Sequence, residues 1–170
     1  MGYHIETERL IMRHFDVSAA PFIVELLNSK GWLEYIGDRN VRTVEQAEAY
    51  LLNGPIKSYT DHGYGLSLVS LKEGDIPIGA CGLLKRDYLD TADLGFAFLP
   101  EYTGQGYGYE SAAAVLTYAE QELQKSPILA FTVPHNEASI KLLEKLGFRF
   151  EKVFTMPGEE EELLLLKKEF

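Results

Sequence analysis

Three glycines, Gly104, Gly106 and Gly108, alternate along the string LPEYTGQGYGYES, between a strand-like run and a helix-like one. Glycine lets a backbone turn tightly and approach a ligand with no Cβ in the way, and the first turn of a helix offers unpaired N–H groups at its positive end. Such a nest holds an anion, a phosphate above all. The same string also serves as a plain tight turn, so the rest of the chain has to choose. Two nucleotide-binding patterns do not fit. A phosphate loop of the nucleotide-hydrolase kind needs Lys and then Ser or Thr after its last glycine, where Tyr109 and Glu110 stand. A dinucleotide fingerprint is GxGxxG early in a βαβ unit, and this GxGxG lies past the midpoint of the chain.

Other reactive side chains are sparse. His4, His14, His62 and His135 show no HxH or HxxxH spacing, so no metal site is expected. Cys81 is the sole cysteine and lies in the apolar run IPIGACGLL, which points to burial rather than to a nucleophile or a disulfide.

The elements that must position the glycine loop follow from pattern. A strand is expected near Glu8 to Phe15, after which Asp16 caps a helix carrying Phe22, Ile23, Leu26 and Leu27 on one face. Thr43 and Gln46 form a capping-box pattern ahead of Ala47, Tyr50 and Leu51, and Gly54 with Pro55 marks a break. Three strand candidates begin at Tyr64, Ile76 and Ala92, joined by KEGD and KRDYLDT, and read as an antiparallel meander. The loop and its helix come next. Asn136 can then cap a helix on which Ile140, Leu143 and Leu146 recur at helical spacing, and Gly147 closes it before a strand from Phe148 to Phe154. The charged turn MPGEEEE precedes a last apolar strand in ELLLLKKEF. Residues 1–170 thus suit one domain of the α/β (α+β) class, with a mixed, mainly antiparallel sheet of about seven strands flanked by helices.

The glycine loop followed by NEASIKLLEKLGF resembles the GNAT family of acetyl-CoA-dependent N-acetyltransferases, whose patterns are [QR]xxGx[GA] and NxxSxxLLEKLGF. The opening ETERLIMRHFDVSAAPFIVELL and the later TVEQAEAYL resemble the Rim-type branch, the ribosomal-protein N-terminal-alanine acetyltransferases. The resemblance runs from about Thr7 to Phe154 and implies a GNAT-like fold, acetyl-CoA as cosubstrate and no metal. It implies that Gly104, Gln105, Gly106, Tyr107 and Gly108 bind the pyrophosphate through backbone N–H groups, although Thr103 stands where the loop usually begins with Arg or Gln, Gln105 replaces a frequent Lys or Arg, and Gly108 a frequent Ala. It assigns main-chain contact with the acyl arm to Phe98 and Leu99. Ser139 resembles a serine placed near the thioester, and Asn136 is suited to orienting the arm or a water; capping and a first-turn position explain both residues equally. The family's thiol-side tyrosine is replaced by Leu143. Because ADLGFAF resembles AEIGYxL, Asp93 is the expected base, one methylene shorter than the usual Glu, with Glu34, Asp87 and His62, the last in the loop-like TDHGYG, as fallbacks. Trp32, Glu34, Tyr35, Tyr64 and Tyr88 are the expected acceptor-side residues, Trp32 and Tyr35 also having the spacing of core residues.

Sixteen Lys and Arg against twenty-six Asp and Glu give a formal net charge of −10, which disfavours nucleic acid and favours an amine-bearing small molecule or a protein N-terminus. No apolar run is long enough to span a membrane, and the N-terminus lacks a signal-peptide pattern and has Glu6 where myristoylation wants Ser or Thr. A cytoplasmic monomer or homodimer is expected. Three activities remain open: acetylation of a protein N-terminus, acetylation of a small amine or polyamine, and non-catalytic acyl-CoA sensing.

Overall fold

The computed structural model describes residues 3–170, so the N-terminal Met1 and Gly2 of the myristoylation reading lie outside it. Strands β1 (His4–Glu6) and β2 (Leu10–His14) open the chain, followed by helices α1 (Ala20–Leu27), α2 (Lys30–Tyr35), α3 (Val44–Asn53) and α4 (Pro55–His62). A meander β3 (Leu66–Leu71), β4 (Ile76–Leu84) and β5 (Asp93–Phe98) leads to α5 (Tyr107–Tyr118), β6 (Ile128–Thr132), α6 (Glu137–Lys145), β7 (Arg149–Phe154) and β8 (Leu163–Lys168).

Local signals set most of these boundaries. Asp16 accepts from the Ser18 N–H at the start of the first helical turn. Thr43 and Gln46 complete a reciprocal capping box on α3. Gly63, at φ +81°, ends α4 in the left-handed conformation that a side chain would resist. Three expectations change. Eight strands form rather than about seven, because the three-residue β1 pairs with β2. Four helices rather than two precede β3, since α2 and α4 are short and lean on their neighbours. His62 closes α4 instead of lying in a loop.

The sheet order is β1-β2-β3-β4-β5-β6-β8-β7. Among the described residues every neighbouring pair is antiparallel except β5 and β6, which run parallel and are bridged at one position, Asp93 opposite Leu129. Helix α5 makes the crossover between them, as a parallel pair requires. One core lies between the sheet and α5 and α6, where Leu94, Ile78, Val115 and Leu143 meet. A second lies beneath α1 to α3, where Ile23, Leu27, Leu51, Ala80 and Leu99 meet, and a small third joins Leu89, Leu129 and Leu165. Strand β5 serves the first two, because successive side chains alternate between its faces. Among the described residues no helix is long and apolar enough to cross a membrane.

Candidate active site

Beyond Asp93 and Leu129 the paired strands part, and the chain leaves β5 into the glycine loop and β6 into the turn before α6. A parallel pair that opens toward its carboxyl ends is where open α/β sheets bind ligands. The β4–β5 ladder shows which groups of β5 look into this fork. The Leu99 N–H donates to the Ile78 carbonyl at 2.9 Å, so odd-numbered β5 amides face β4. The even ones, Phe96 and Phe98, therefore face the fork. This corrects one expectation: the Phe98 amide is aimed at the fork, whereas the Leu99 amide is spent on the ladder and its side chain belongs to the α1–α3 core.

At the carboxyl end of β5, Gly104 has φ +74° and open space where a Cβ would sit. Gly106, at φ +88°, is the N-cap of α5. The first bond of the helix runs from the Glu110 N–H to the Gly106 carbonyl, so the N–H groups of Tyr107, Gly108 and Tyr109 precede it and have no partner within the helix. Gly108 is tight for a different reason, since a Cβ there would meet Leu142 of α6 at 3.1 Å. Glycine thus serves the cradle at two positions and helix packing at the third. The cradle fits a diphosphate: its donors are main-chain N–H groups at a helix N-terminus. Sequence reasoning missed Arg9, whose Nη1 donates to the Gln105 carbonyl at 3.0 Å. No local signal points to it, because the contact crosses most of the chain.

The Asn136 side chain accepts from the Ser139 N–H at 3.3 Å and so caps α6. That cap uses the serine backbone and leaves its hydroxyl out. Leu143, at the aligned tyrosine position, is buried in the main core and offers no acid.

At the apex of the fork Asp93 is 1% exposed and shares its β5 face with Ala97 and Leu99, toward α1 to α3. Its carboxylate accepts from Arg86 Nε at 2.9 Å. Burial pushes the Asp93 carboxyl above the ordinary aspartate range, and the Arg86 charge and hydrogen bond oppose that rise without cancelling it. Arg86 was not foreseen either. It lies in the β4–β5 loop, donates Nη1 to the Tyr88 hydroxyl at 3.3 Å and stacks its guanidinium 4.8 Å from the centre of the Phe131 ring. Tyr64 is buried nearby; burial and then the Asp93 charge raise its phenol. Asp93, Tyr64 and Tyr88 are therefore brought together.

The remaining acceptor-side residues divide. Trp32 is 7% exposed inside the α1–α3 core, with an indole N–H that has no hydrogen-bond partner among the described residues. Tyr35 faces outward and packs 5.5 Å, centre to centre, from His135 in the turn before α6. Helix α2 touches β5, so this contact joins the two arms of the fork. Glu34 is exposed, and its carboxylate beside the Tyr35 hydroxyl raises that phenol. Of the fallback bases, Asp87 is exposed in the β4–β5 loop and His62 ends α4 with its ring 5.9 Å from that of Tyr64. Cys81 is fully buried, and burial pushes its thiol up to about 12, so it is inert as a nucleophile.

Residues 9–149 match the Acetyltransferase (GNAT) domain family. The chain is 30% identical over 151 residues to the uncharacterized N-acetyltransferase YnaD of Bacillus subtilis (strain 168), covering 89% of this chain and 85% of that protein. It belongs to the GNAT acetyltransferase family. Many solved structures share its fold, among them these two. One is a ribosomal-protein α-N-acetyltransferase, RimL, in complex with coenzyme A, with TM-score 0.80, 17% identity and 98% of each chain covered. The other is a spermidine N-acetyltransferase SpeG chimera from Vibrio cholerae and hSSAT, with TM-score 0.75, 20% identity, and 94% of this chain and 95% of that one covered. Likeness at this level is likeness of fold, and it extends to protein-acetylating and polyamine-acetylating enzymes alike.

Proposed function

We propose that the protein transfers the acetyl group of acetyl-CoA to a primary amine by direct attack in a ternary complex. The observation that carries this is the fork: an anion cradle at one end of β5, a buried carboxylate at the other, and between them main-chain N–H groups facing an unpaired edge. The pyrophosphate lies against residues 104–108, and the acyl arm runs along β5 in place of a paired strand. From Asp93 to Phe98 the strand spans about 17 Å, so an extended arm is needed to join the two ends. The Phe98 N–H holds the acyl arm, the Phe96 N–H, nearer the carboxylate, polarises the thioester carbonyl, and Asp93 takes a proton from the ammonium through water. The amine nitrogen then bonds to the carbonyl carbon, the C–S bond breaks, and the second proton shed by the nitrogen passes to the departing thiolate, which takes a hydrogen bond from Ser139 while Asn136 orients the arm. Tyr64, Tyr88, Tyr35 and Glu34 shape the acceptor entrance, and Trp32 supports it from within.

The acceptor is a protein N-terminus, as the N-terminal resemblance suggests, or a small amine such as a polyamine, which suits the acidic charge of the chain. The test incubates the protein with acetyl-CoA and, separately, an alanine-starting peptide and spermidine, following release of free thiol. Acceptor-dependent release supports transfer and selects the acceptor class. Binding of CoA without release for any amine would leave the sensor reading in its place.

A further inference from the structure

The glycine loop is held from outside itself. Glu110, in the first turn of α5, receives three hydrogen bonds from the β1–β2 turn. The Thr7 hydroxyl donates to Oε2 at 2.5 Å, the Arg9 backbone N–H to the same oxygen at 2.8 Å, and Arg9 Nε to Oε1 at 2.7 Å. The same guanidinium reaches onward. Nη1 donates to the Gln105 carbonyl at 3.0 Å, the group lies 4.3 Å from the centre of the Tyr107 ring, and Nη2 stands 3.2 Å from where a Gly106 Cβ would be. The turn is itself fixed: the Thr7 N–H donates to the Leu10 carbonyl at 2.9 Å, the Leu10 N–H to the Thr7 hydroxyl at 3.1 Å, and the Lys72 N–H to the Arg9 carbonyl at 2.8 Å.

The direction of the Gln105 contact matters most. In a planar trans peptide the carbonyl of one residue and the N–H of the next point opposite ways. Gripping the Gln105 oxygen therefore turns the Gly106 N–H away from the arginine and toward the open side of the loop. A loop of positive-φ glycines otherwise loses much conformational freedom when it binds, and fixing it beforehand removes that loss. Arg9 also neutralises Glu110, whose charge at the start of α5 would repel an anion at the same helix end.

We propose that Arg9 is a positioning residue for the cofactor: anchored on Glu110 and Thr7, it presets residues 105–107 for a diphosphate and supplies from β1–β2 the cation that the loop sequence lacks. This rests on the reading that the loop binds the pyrophosphate of acyl-CoA. The test compares wild type with Arg9→Gln, Glu110→Gln and Thr7→Val. Three readouts are taken: calorimetric binding of CoA, kinetics with acetyl-CoA and with S-acetylpantetheine (which has no pyrophosphate), and amide exchange of residues 104–108 in ligand-free protein. Arg9→Gln is expected to weaken CoA binding and raise KM for acetyl-CoA by about tenfold or more, with kcat changed by less than about twofold and S-acetylpantetheine unaffected. Loop exchange rises in the same variant. Glu110→Gln follows it, the double variant is no worse than the first, and Thr7→Val, which leaves the guanidinium in place, shifts binding less in the same direction. If wild type binds no CoA, the cofactor reading itself fails. If wild type binds CoA and Arg9→Gln binds it equally well, the positioning role is overturned. It is also overturned if binding weakens while loop exchange stays at the wild-type level, which would make Arg9 a direct phosphate ligand.

Discussion

At the carboxyl end of β5 the groups offered to the proposed ligand are main-chain N–H groups from one short string, whereas at its amino end they are side chains drawn from separate segments. Gly104 to Tyr109 make the first from consecutive residues. Asp93, Arg86, Tyr88 and Tyr64 make the second, from β5, the β4–β5 loop and the approach to β3. A backbone site depends on torsion angles and tolerates varied side chains. A side-chain site depends on one carboxylate and the cation that holds it, so it tolerates little.

The amino end is expected to break hardest. Asp93→Asn keeps the shape and an acceptor for Arg86 but removes the base, and kcat/KM should fall by about 10²- to 10⁴-fold with CoA affinity unchanged. Steady-state kinetics beside calorimetry checks both; retained turnover would move the base elsewhere. At the carboxyl end Gly106→Ala presses its Cβ to 3.2 Å from the anchored Arg9 guanidinium, and at φ +88° it carries a backbone strain of about 1–2 kcal/mol. Binding of CoA should weaken by about tenfold. Gly104→Ala, at φ +74° in open space, isolates the strain alone and is expected to cost less. Comparing the two variants by calorimetry separates torsion from crowding.

Arg86→Gln sharpens the contrast through pH. With Asp93 as the proposed base, transfer needs it ionised, so activity should be lost as pH falls through its pKa, which already lies above the ordinary aspartate range. Removing the charge that opposes this rise should move the acid limb of the kcat/KM profile to higher pH, and a limb that stays put would detach Arg86 from the base. Ser139→Ala is expected to lower kcat by only several-fold, since Asn136 caps α6 through the Ser139 backbone and the helix survives. The smallest effect belongs to Glu110→Gln measured as stability. Burial raises the Glu110 carboxyl most, yet the bonds from Thr7 and Arg9 together hold it below its ordinary value. Its contribution is then present above the ordinary glutamate range and lost as pH falls through the depressed value. The variant should therefore flatten the acid side of the melting-temperature profile by an amount on the order of 1 kcal/mol.

The same contrast explains what the sequence disclosed. The glycine loop, the Thr43 capping box and the Asn136 cap are local, each specified within a few residues, and they form where the string says. The meander was legible because β3, β4 and β5 are joined by short turns. Two of the charged partners were not legible. Arg86 sits in an ordinary polar loop, and Arg9 reaches the loop across 96 residues, so each gains meaning only when the sheet brings it to its partner. Trp32 and Tyr35 share one short helix and one helical spacing, yet one is core and the other faces His135. Periodicity names a face; it does not say what lies opposite.

The bridge between Asp93 and Leu129 joins a five-stranded block to a three-stranded one. It makes this line the mechanical seam of the sheet, and above it Leu142 of α6 lies where a side chain at position 108 of α5 would stand. A molecule bonded along the open edge of β5 would act as a splint across that seam, and release of the spent carrier would leave the two blocks held there by one bridge and the core they share.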